Sequence, residues 1–345
     1  MSQPLRYFSM FSGVGGFELG IEQAYSRMVG DGQANHSLSR RQETLNSTGV
    51  GNQQAERPSD EPNQPEATCV GYSEIDKYAI KVYERHFEHD NYGDATTINP
   101  TQLPDFDLLV GGFPCQAFSI AGKRAGFNDT RGTLFFDIAR ILAEKRPRHL
   151  VLENVKGLLS HDSGKTFQTI LGVLSDLGYR VEWQVLNSKD FGVPQNRERI
   201  YFVGHLGDEC GRQVFPIRQN GESSTEQHNE RLQESEIAQT VTATYWKGGK
   251  GSQIRTDEPS LRQRGDKPDS NNSIRRASLT DDSRIRRLTP KECERLQGFP
   301  DDWTEEGLTE LGNPTGISDT QRYKMCGNAV TVNVVQAVME GLYGS

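Results

Sequence analysis

The chain has 345 residues, 34% of them apolar and 25% charged, with a net charge of −8. That length allows one large domain and a smaller one, and the acidic balance argues against coating nucleic acid everywhere while leaving room for one basic face. No apolar run approaches the roughly 18 residues of a membrane span, Met1-Ser2-Gln3-Pro4 leads into a strand pattern rather than a secretory leader, and the five cysteines (69, 115, 210, 293, 326) contain no C-x-x-C pair. These features imply a cytoplasmic protein with free thiols, no disulfide framework and no metal.

In chain order, Leu5-Arg-Tyr-Phe-Ser-Met-Phe11 reads as a first strand. It breaks at Ser12-Gly13-Val14-Gly15-Gly16-Phe17, and Glu18 to Met28 has helical character. Strand, glycine turn and helix is the arrangement in which backbone approaches a ligand at a helix N-terminus. The spacing departs from G-x-G-x-x-G and is a weak signal alone. Such folds place an acidic residue about 20 positions beyond the glycines, where it binds ribose hydroxyls. The next strand-like run is Thr68 to Glu74, and Glu74 lies 59 positions after Gly15. Residues 31–68, however, hold six apolar residues in 38 and no aromatic, a composition that cannot bury a core and predicts a disordered surface insertion. Setting those 38 aside leaves 21, the expected spacing, and makes Glu74 a ribose-binding candidate.

Ile75 to Phe87 is an amphipathic helix by spacing, with Ile75, Ala79, Val82, Tyr83 and Phe87 on one face. Gly93-Asp94-Ala95-Thr96 reads as a turn, in which Asp94 is equally a cap or an acceptor for an adenine amino group. The apolar run Leu108-Leu-Val110 then stops at Gly111-Gly112-Phe113-Pro114-Cys115-Gln116, a buried strand ending in a loop. Pro114 restricts that loop's course into Cys115. A free cysteine is most often a small buried hydrophobe. This one stands at the carboxyl end of a central strand, where open α/β sheets bind ligands. It is followed by a loop with Ser119, Lys123, Arg124 and Arg131 and almost no core pattern, which suggests a nucleophile for an anionic polymer.

A helix from Thr133 to Ala143, a strand Leu150-Val-Leu-Glu153-Asn-Val155, a helix near Lys165–Leu177 and strands at Val181–Leu186 and Ile200–Val203 continue the alternation. The fold class is therefore α/β, a doubly wound, mostly parallel sheet. From about 207 to 284 the pattern fails, apart from short β-like pieces such as Gln239 to Trp246. Residues 242–287 carry eleven Lys/Arg against six Asp/Glu, which is either a solvated linker or a basic face. Order returns where Thr289 caps a helix with Pro290 first and Glu292 completing a capping box. A last helix, Ala329–Leu342, has an apolar face that must dock on the sheet.

Six of these segments resemble the bacterial and archaeal C5-cytosine DNA methyltransferases. They are Phe11-Ser-Gly-Val-Gly-Gly-Phe17, Gly112-Phe-Pro-Cys-Gln116, Glu153-Asn-Val155, Gln195-Asn-Arg-Glu-Arg199, Arg287-Leu-Thr-Pro to Gly298-Phe299, and Gly327-Asn-Ala-Val330, in the family's order. The resemblance implies a Rossmann-like catalytic domain over 1–206, a target-recognition region over 207–286, and a segment 287–345 returning to the catalytic domain. It implies transfer of a methyl group from S-adenosyl-L-methionine to carbon 5 of cytosine in a specific double-stranded DNA sequence. Base flipping and a covalent Cys115–carbon 6 intermediate would carry the reaction. Glu153 would act at ring nitrogen 3, which requires a raised pKa. Arg199 would contact the base carbonyl, with Arg197 supporting the nucleophile loop. Phe11, Gly13, Gly15, Gly16, Glu74, Ile75, Asp94, Pro114 and Asn328 would line the cofactor pocket, Asn328 coming from the C-terminal helix. Ser119, Lys123, Arg124 and Arg131, with Lys247 and Arg255 in the recognition region, would contact DNA.

The resemblance also implies a nucleoid-associated monomer and admits a restriction endonuclease of the same site as its cellular counterpart. Two other readings share the motifs. A related RNA methyltransferase has the Pro-Cys and Glu-Asn-Val elements, and a silent DNA-binding protein could keep the scaffold. The Arg-Leu-Thr-Pro segment favours DNA, and intact Cys115, Glu153, Arg197 and Arg199 favour an enzyme.

Overall fold

Strand residues in the first 206 positions are apolar on both faces, and helices cover each face. The computed structural model describes residues 4–28, 67–114, 134–207, 212–217, 238–239, 253–256 and 284–344. Its elements begin with β1 (Leu5–Met10), α1 (Gly16–Met28), β2 (Ala67–Ser73), α2 (Lys77–His86), β3 (Leu108–Gly112) and α3 (Leu134–Lys145). Next come β4 (His149–Val155), α4 (Lys165–Asp176), β5 (Tyr179–Asn187), β6 (Gln195–Asn196) and β7 (Glu198–Leu206). Short strands β8 (Ala238–Gln239), β9 (Gln253–Thr256) and β10 (Arg284–Arg287) precede α5 (Pro290–Leu296). The chain closes with β11 (Glu306–Leu308), β12 (Pro314–Gly316), α6 (Asp319–Asn328) and α7 (Val332–Tyr343).

The main sheet has the order β2-β1-β3-β4-β7-β5. All neighbours are parallel except around β7, which runs antiparallel to both β4 and β5. Alternate residues sort cleanly between the faces. Phe8, Met10, Leu109, Leu150, Leu152, Ile200 and Phe202 pack against Phe135, Ile138 and Leu142 of α3 and Ile170 and Leu174 of α4. Tyr7, Leu108, Val110, Val151, Tyr201 and Val203 face Phe17, Ile21 and Ala24 of α1 and Val334, Val335 and Val338 of α7. Burial on both sides is why these strands read as continuous apolar runs.

Chain order reverses between β1 and β3: β2 lies on one side of β1, and β3, β4 and β7 lie on the other. Ligands bind beyond the carboxyl ends of strands at such a reversal. Both glycine-ended strands, β1 and β3, stop there.

Three expectations need correction. β2 starts at Ala67, so Ala67 and Thr68 belong to the sheet and not to the insertion assigned to 31–68. The helix drawn from Ile75 starts at Lys77, because the Asp76 side chain accepts from the amides of Tyr78 (2.9 Å) and Ala79 (3.3 Å) and caps it. Ile75 is thereby left outside the buried face, 71% exposed. The last helix is also not continuous from Ala329. α6 ends at Asn328, residues 329–331 are extended, and α7 begins at Val332. The capping box at Thr289, Pro290 and Glu292 forms as read. Of the run Gln239–Trp246, Gln239 pairs in β8, and the rest lies outside the described residues.

One buried carboxyl lies beneath α1. Glu18 has no solvent exposure, its Oε1 accepts from the Tyr83 hydroxyl (3.1 Å), and burial raises its pKa from 4.5 to about 7. A carboxyl whose folded pKa is raised contributes stability that is complete below pH 4.5 and lost as the pH climbs through about 7. The difference is on the order of 3 kcal/mol. Glu18→Gln keeps the acceptor for Tyr83 without the charge. Denaturant unfolding should show the variant gaining on the wild type between pH 5 and pH 8. A difference that stays constant over that range would mean Glu18 titrates alike in the folded and unfolded chains.

Candidate active site

The loop after β1 needs conformations that few residues supply. Phe11, Gly13 and Gly15 all have positive φ (+56°, +57° and +86°). At Gly15 a side chain is excluded twice, by φ and by the Phe87 ring, whose edge would lie 2.3 Å from an added Cβ. The Gly15 amide donates to the Ser12 carbonyl (3.0 Å), and α1 starts at the next residue.

Glu74, just past β2, ties this loop to the next. Its Oε2 accepts from the Gly13 amide (2.9 Å), and its Oε1 accepts from the amides of Ile75 and Asp76 (2.8 Å each). A carboxylate has about four lone-pair sites, so three backbone donors leave room for one ligand hydroxyl. Asn91 and Gly93 join the same rim: Ser73 Oγ donates to the Gly93 carbonyl (2.7 Å), and Asn91 Oδ1 accepts from the Glu74 amide (3.3 Å). Asp94 caps a short 3-10 turn at Ala95–Thr97, where its Oδ1 accepts from the amide (2.9 Å) and hydroxyl (2.8 Å) of Thr96. The cap reading is thus satisfied with one oxygen. Asp94 remains exposed, as does Ile75 beside Glu74.

The second half of the site stands on β3, β4 and β7. Gly112 pairs in register with Glu153, and a Cβ at Gly112 would lie 3.1 Å from Glu153 Oε2, so a larger residue there would crowd the carboxylate. Glu153 pairs with Tyr201, and Val155 pairs with Arg199, which sets Arg199 diagonally across from Glu153 on the same face. Arg199 Nε lies 3.1 Å from Glu153 Oε1. Burial raises the Glu153 pKa, opposed by the charges of Arg199 and Arg197. Asn154 holds the following loop, donating through Nδ2 to the Phe113 carbonyl (2.9 Å). Pro114 is exposed beyond it.

Arg197 is 2% exposed and donates through Nη2 to the carbonyls of Gly327 (3.2 Å) and Ala329 (2.8 Å). Burial, aided by Arg199, lowers its pKa to about 10, which leaves it protonated near neutrality. Those two carbonyls flank Asn328, which is exposed at the end of α6 and not on the C-terminal helix as expected. Val330, two residues on, touches the backbone of both glycine loops: added Cβ atoms at Gly16 and Gly112 would lie 2.8 and 3.7 Å from its methyls.

Phe11, Gly13, Gly15, Gly16, Glu74, Ile75 and Asp94 therefore gather at one side of the strand-order reversal. Glu153, Arg199 and Pro114 gather at the other, and Asn328 is brought in by Arg197. Cys115, Ser119, Lys123, Arg124, Arg131 and Lys247 lie outside the described residues. Arg255 is on β9, paired with Ile285 of a β10 that also carries Arg284, Arg286 and Arg287. Among the described residues no three His, Cys, Asp or Glu side chains gather as metal ligands, and no helix is long and apolar enough to cross a membrane.

Sequence reasoning missed a buried polar network behind the site. Gln195 donates to the Leu296 carbonyl (2.8 Å), Gln297 donates to Gln195 (3.3 Å), Thr331 donates to Gln297 (3.2 Å), and Ser188 and Thr331 share a hydrogen bond (2.7 Å). Both glutamines sit inside motifs already singled out.

A family profile described as C-5 cytosine-specific DNA methylase matches residues 5–246 and 210–343. The type II methyltransferase M1.ScrFI of Lactococcus lactis subsp. cremoris is 41% identical over 308 residues, covering 78% of this chain and 70% of that protein. The type II methyltransferase M.NlaX of Neisseria lactamica is 35% identical over 370 residues, covering 97% of this chain and 95% of that protein. Among solved structures, the Entamoeba histolytica methyltransferase EhMeth aligns with a TM-score of 0.60 at 19% identity over 99% of this chain and 98% of its own, a likeness of fold. With a profile match across nearly the whole chain and relatives of this identity, the chain belongs to the C-5 cytosine-specific DNA methylase family and is a DNA (cytosine-5-)-methyltransferase.

Proposed function

We propose that the enzyme takes its methyl group from S-adenosylmethionine and delivers it to a cytosine flipped out of a specific double-stranded DNA sequence, through a covalent bond between Cys115 Sγ and carbon 6 of the base. The observation that carries this reading is the Glu153–Arg199 pair at the tip of β4, beside Gly112 and three residues from Cys115 along β3's exit loop.

The first rim fits the cofactor's parts. Exposed Ile75 offers an apolar face for a flat base, and Glu74 keeps one lone-pair site for a ribose hydroxyl. Asp94 stands ready for an amino group, and the start of α1 at Gly16 favours negative charge. Phe11, Gly13, Gly15, Pro114 and Asn328 complete the wall. Bound there, S-adenosylmethionine supplies an electrophilic methyl group on a sulfonium.

Carbon 5 of cytosine is a poor nucleophile until something adds to carbon 6. The Cys115 thiolate adds there, and the electron pair displaced from the 5,6 double bond enriches carbon 5. Glu153, whose pKa is raised by burial, donates its proton at ring nitrogen 3 and so stabilises the charge that enters the ring. Arg199 reaches the base carbonyl while keeping Glu153 in place. Once carbon 5 carries the methyl group, a base removes its proton, the electron pair re-forms the 5,6 double bond and expels the Cys115 sulfur as thiolate, and nitrogen 3 returns its proton to Glu153. Because the target carbon is stacked inside a duplex, the base must be extruded at a cost of a few kcal/mol.

Ser119, Lys123, Arg124 and Arg131 would hold the nucleotide backbone. Lys247 and Arg255 would read the target from the recognition region 207–286, whose β9–β10 ribbon carries four arginines. The type II names of the relatives support a role opposite a restriction endonuclease.

Cys115→Ser should abolish methyl transfer while S-adenosylmethionine binding survives, since a hydroxyl is a far poorer nucleophile. DNA carrying 5-fluorocytosine at the target should trap a denaturant-stable adduct with wild type only, because fluorine cannot leave as a proton does. Transfer of labelled methyl at the wild-type rate by the serine variant would rule the chemistry out.

Glu153→Gln keeps a neutral donor of similar size but cannot deliver a proton, so turnover should fall about 10²- to 10⁴-fold, with cofactor affinity within about twofold. Wild-type turnover should decline as the pH rises through the raised Glu153 pKa, and the variant should lack that limb. Retention of that limb in the variant would assign the titration to another group.

A further inference from the structure

The turn leading from α5 towards β11 is gripped from inside. Glu294, fully buried on α5, accepts from the amides of Asp302 (2.9 Å) and Thr304 (2.9 Å) and from the Thr304 hydroxyl. Arg322 of α6 donates to Glu294 (3.0 Å) and to Thr304 Oγ1 (3.2 Å), giving the buried carboxylate its countercharge. These bonds hold the backbone on both sides of Trp303, with Asp302 at a φ of +63°.

Trp303 in turn reaches the first glycine loop. Its Nε1–H donates to the Val14 carbonyl (2.9 Å), a contact spanning 289 positions of sequence. The His86 ring lies flat against the indole, with centroids 3.6 Å apart and planes at 5°, while His86 Nε2–H donates to the Trp303 carbonyl (2.8 Å). Phe299 and Phe87 flank the indole at 5.5 and 6.0 Å.

Val14 sits between the two positive-φ glycines, where the backbone has the most freedom to turn over. Its peptide unit with Gly15 is held at both ends, the carbonyl by the indole and the amide by the Ser12 carbonyl (3.0 Å). A plane held at both ends does not flip, so the loop keeps one shape before any ligand arrives, and preorganisation of this kind raises affinity. We propose that Trp303 is a positioning residue for the cofactor loop, acting through Val14 and itself held by Glu294 and Arg322. This rests on the reading that the loop binds S-adenosylmethionine.

Trp303→Phe keeps an aromatic ring against His86 and removes the donor together with part of the indole's packing volume. The full-length variant should bind S-adenosylmethionine about threefold to tenfold more weakly by calorimetry. The cofactor KM should rise in step, DNA affinity should be unchanged, and turnover should recover at saturating cofactor. Amide hydrogen exchange should quicken across Gly13–Gly16 while β1 and β3 stay protected. Should that variant not accumulate as folded protein, Glu294→Gln is expected to show the same selective loss. Unchanged cofactor affinity in the folded variant, or exchange that quickens across the whole sheet, would overturn the proposal and leave the cofactor reading standing. A wild-type protein that does not bind S-adenosylmethionine would sink both.

Discussion

A buried cation ties the middle of this chain to its last two helices. Arg197 leaves the sheet between β6 and β7, and its guanidinium donates to the Gly327 and Ala329 carbonyls, at the carboxyl end of α6. Carbonyls there lack helical partners and carry the negative end of the helix dipole, so a cation is the group they attract. An isolated buried charge would cost several kcal/mol. Hydrogen bonds to these carbonyls offset part of that cost. The consequence is geometric: Asn328 and Val330 are delivered to the tips of β1 and β3, strands that begin more than two hundred positions earlier in the chain.

Glu153 shows how the same neighbourhood sets a proton. Two arginines favour its ionised form and burial favours the neutral one; the balance leaves its pKa raised, so burial wins. A fully solvated carboxylate beside Arg199 would ionise readily and have no proton to give. Gly112 belongs to this balance, because the space a side chain would take is where the Glu153 carboxylate sits. The proposed acid thus stands on β4 beside β3, the strand that leads towards the proposed nucleophile, with Gly112 in register with Glu153.

The proposed cofactor rim follows a different logic, in which backbone amides do most of the organising. Glu74 collects three of them from two loops, Asn91 and Asp94 arrange their own turns, and Trp303 holds the Val14 peptide from behind. Loop shape is therefore settled by groups that need not touch the ligand. The remaining oxygens and the exposed Ile75 side chain face outward from that frame.

The sequence by itself determined whatever depends on short range. Continuous apolar runs named the strands, glycines at strand ends marked both loops, and Thr289 with Glu292 announced a capping box that forms. Setting aside a segment of low apolar content drew attention to Glu74, and the structure brings that carboxylate to the Gly13 amide. Where the linear pattern misled, a neighbour in space or a local cap had the last word. Ile75 fitted a helical face, but Asp76 captured the first amides and began the helix two residues later. Val330 continued the apolar stripe of α7, yet the chain is extended there, where its side chain packs on Gly16. Only the tertiary structure decided what Arg197 binds, why the Glu153 pKa is raised, and that Trp303 reaches Val14. Each depends on burial or on a partner more than a hundred positions away, and neither quantity is written in the order of residues along a chain.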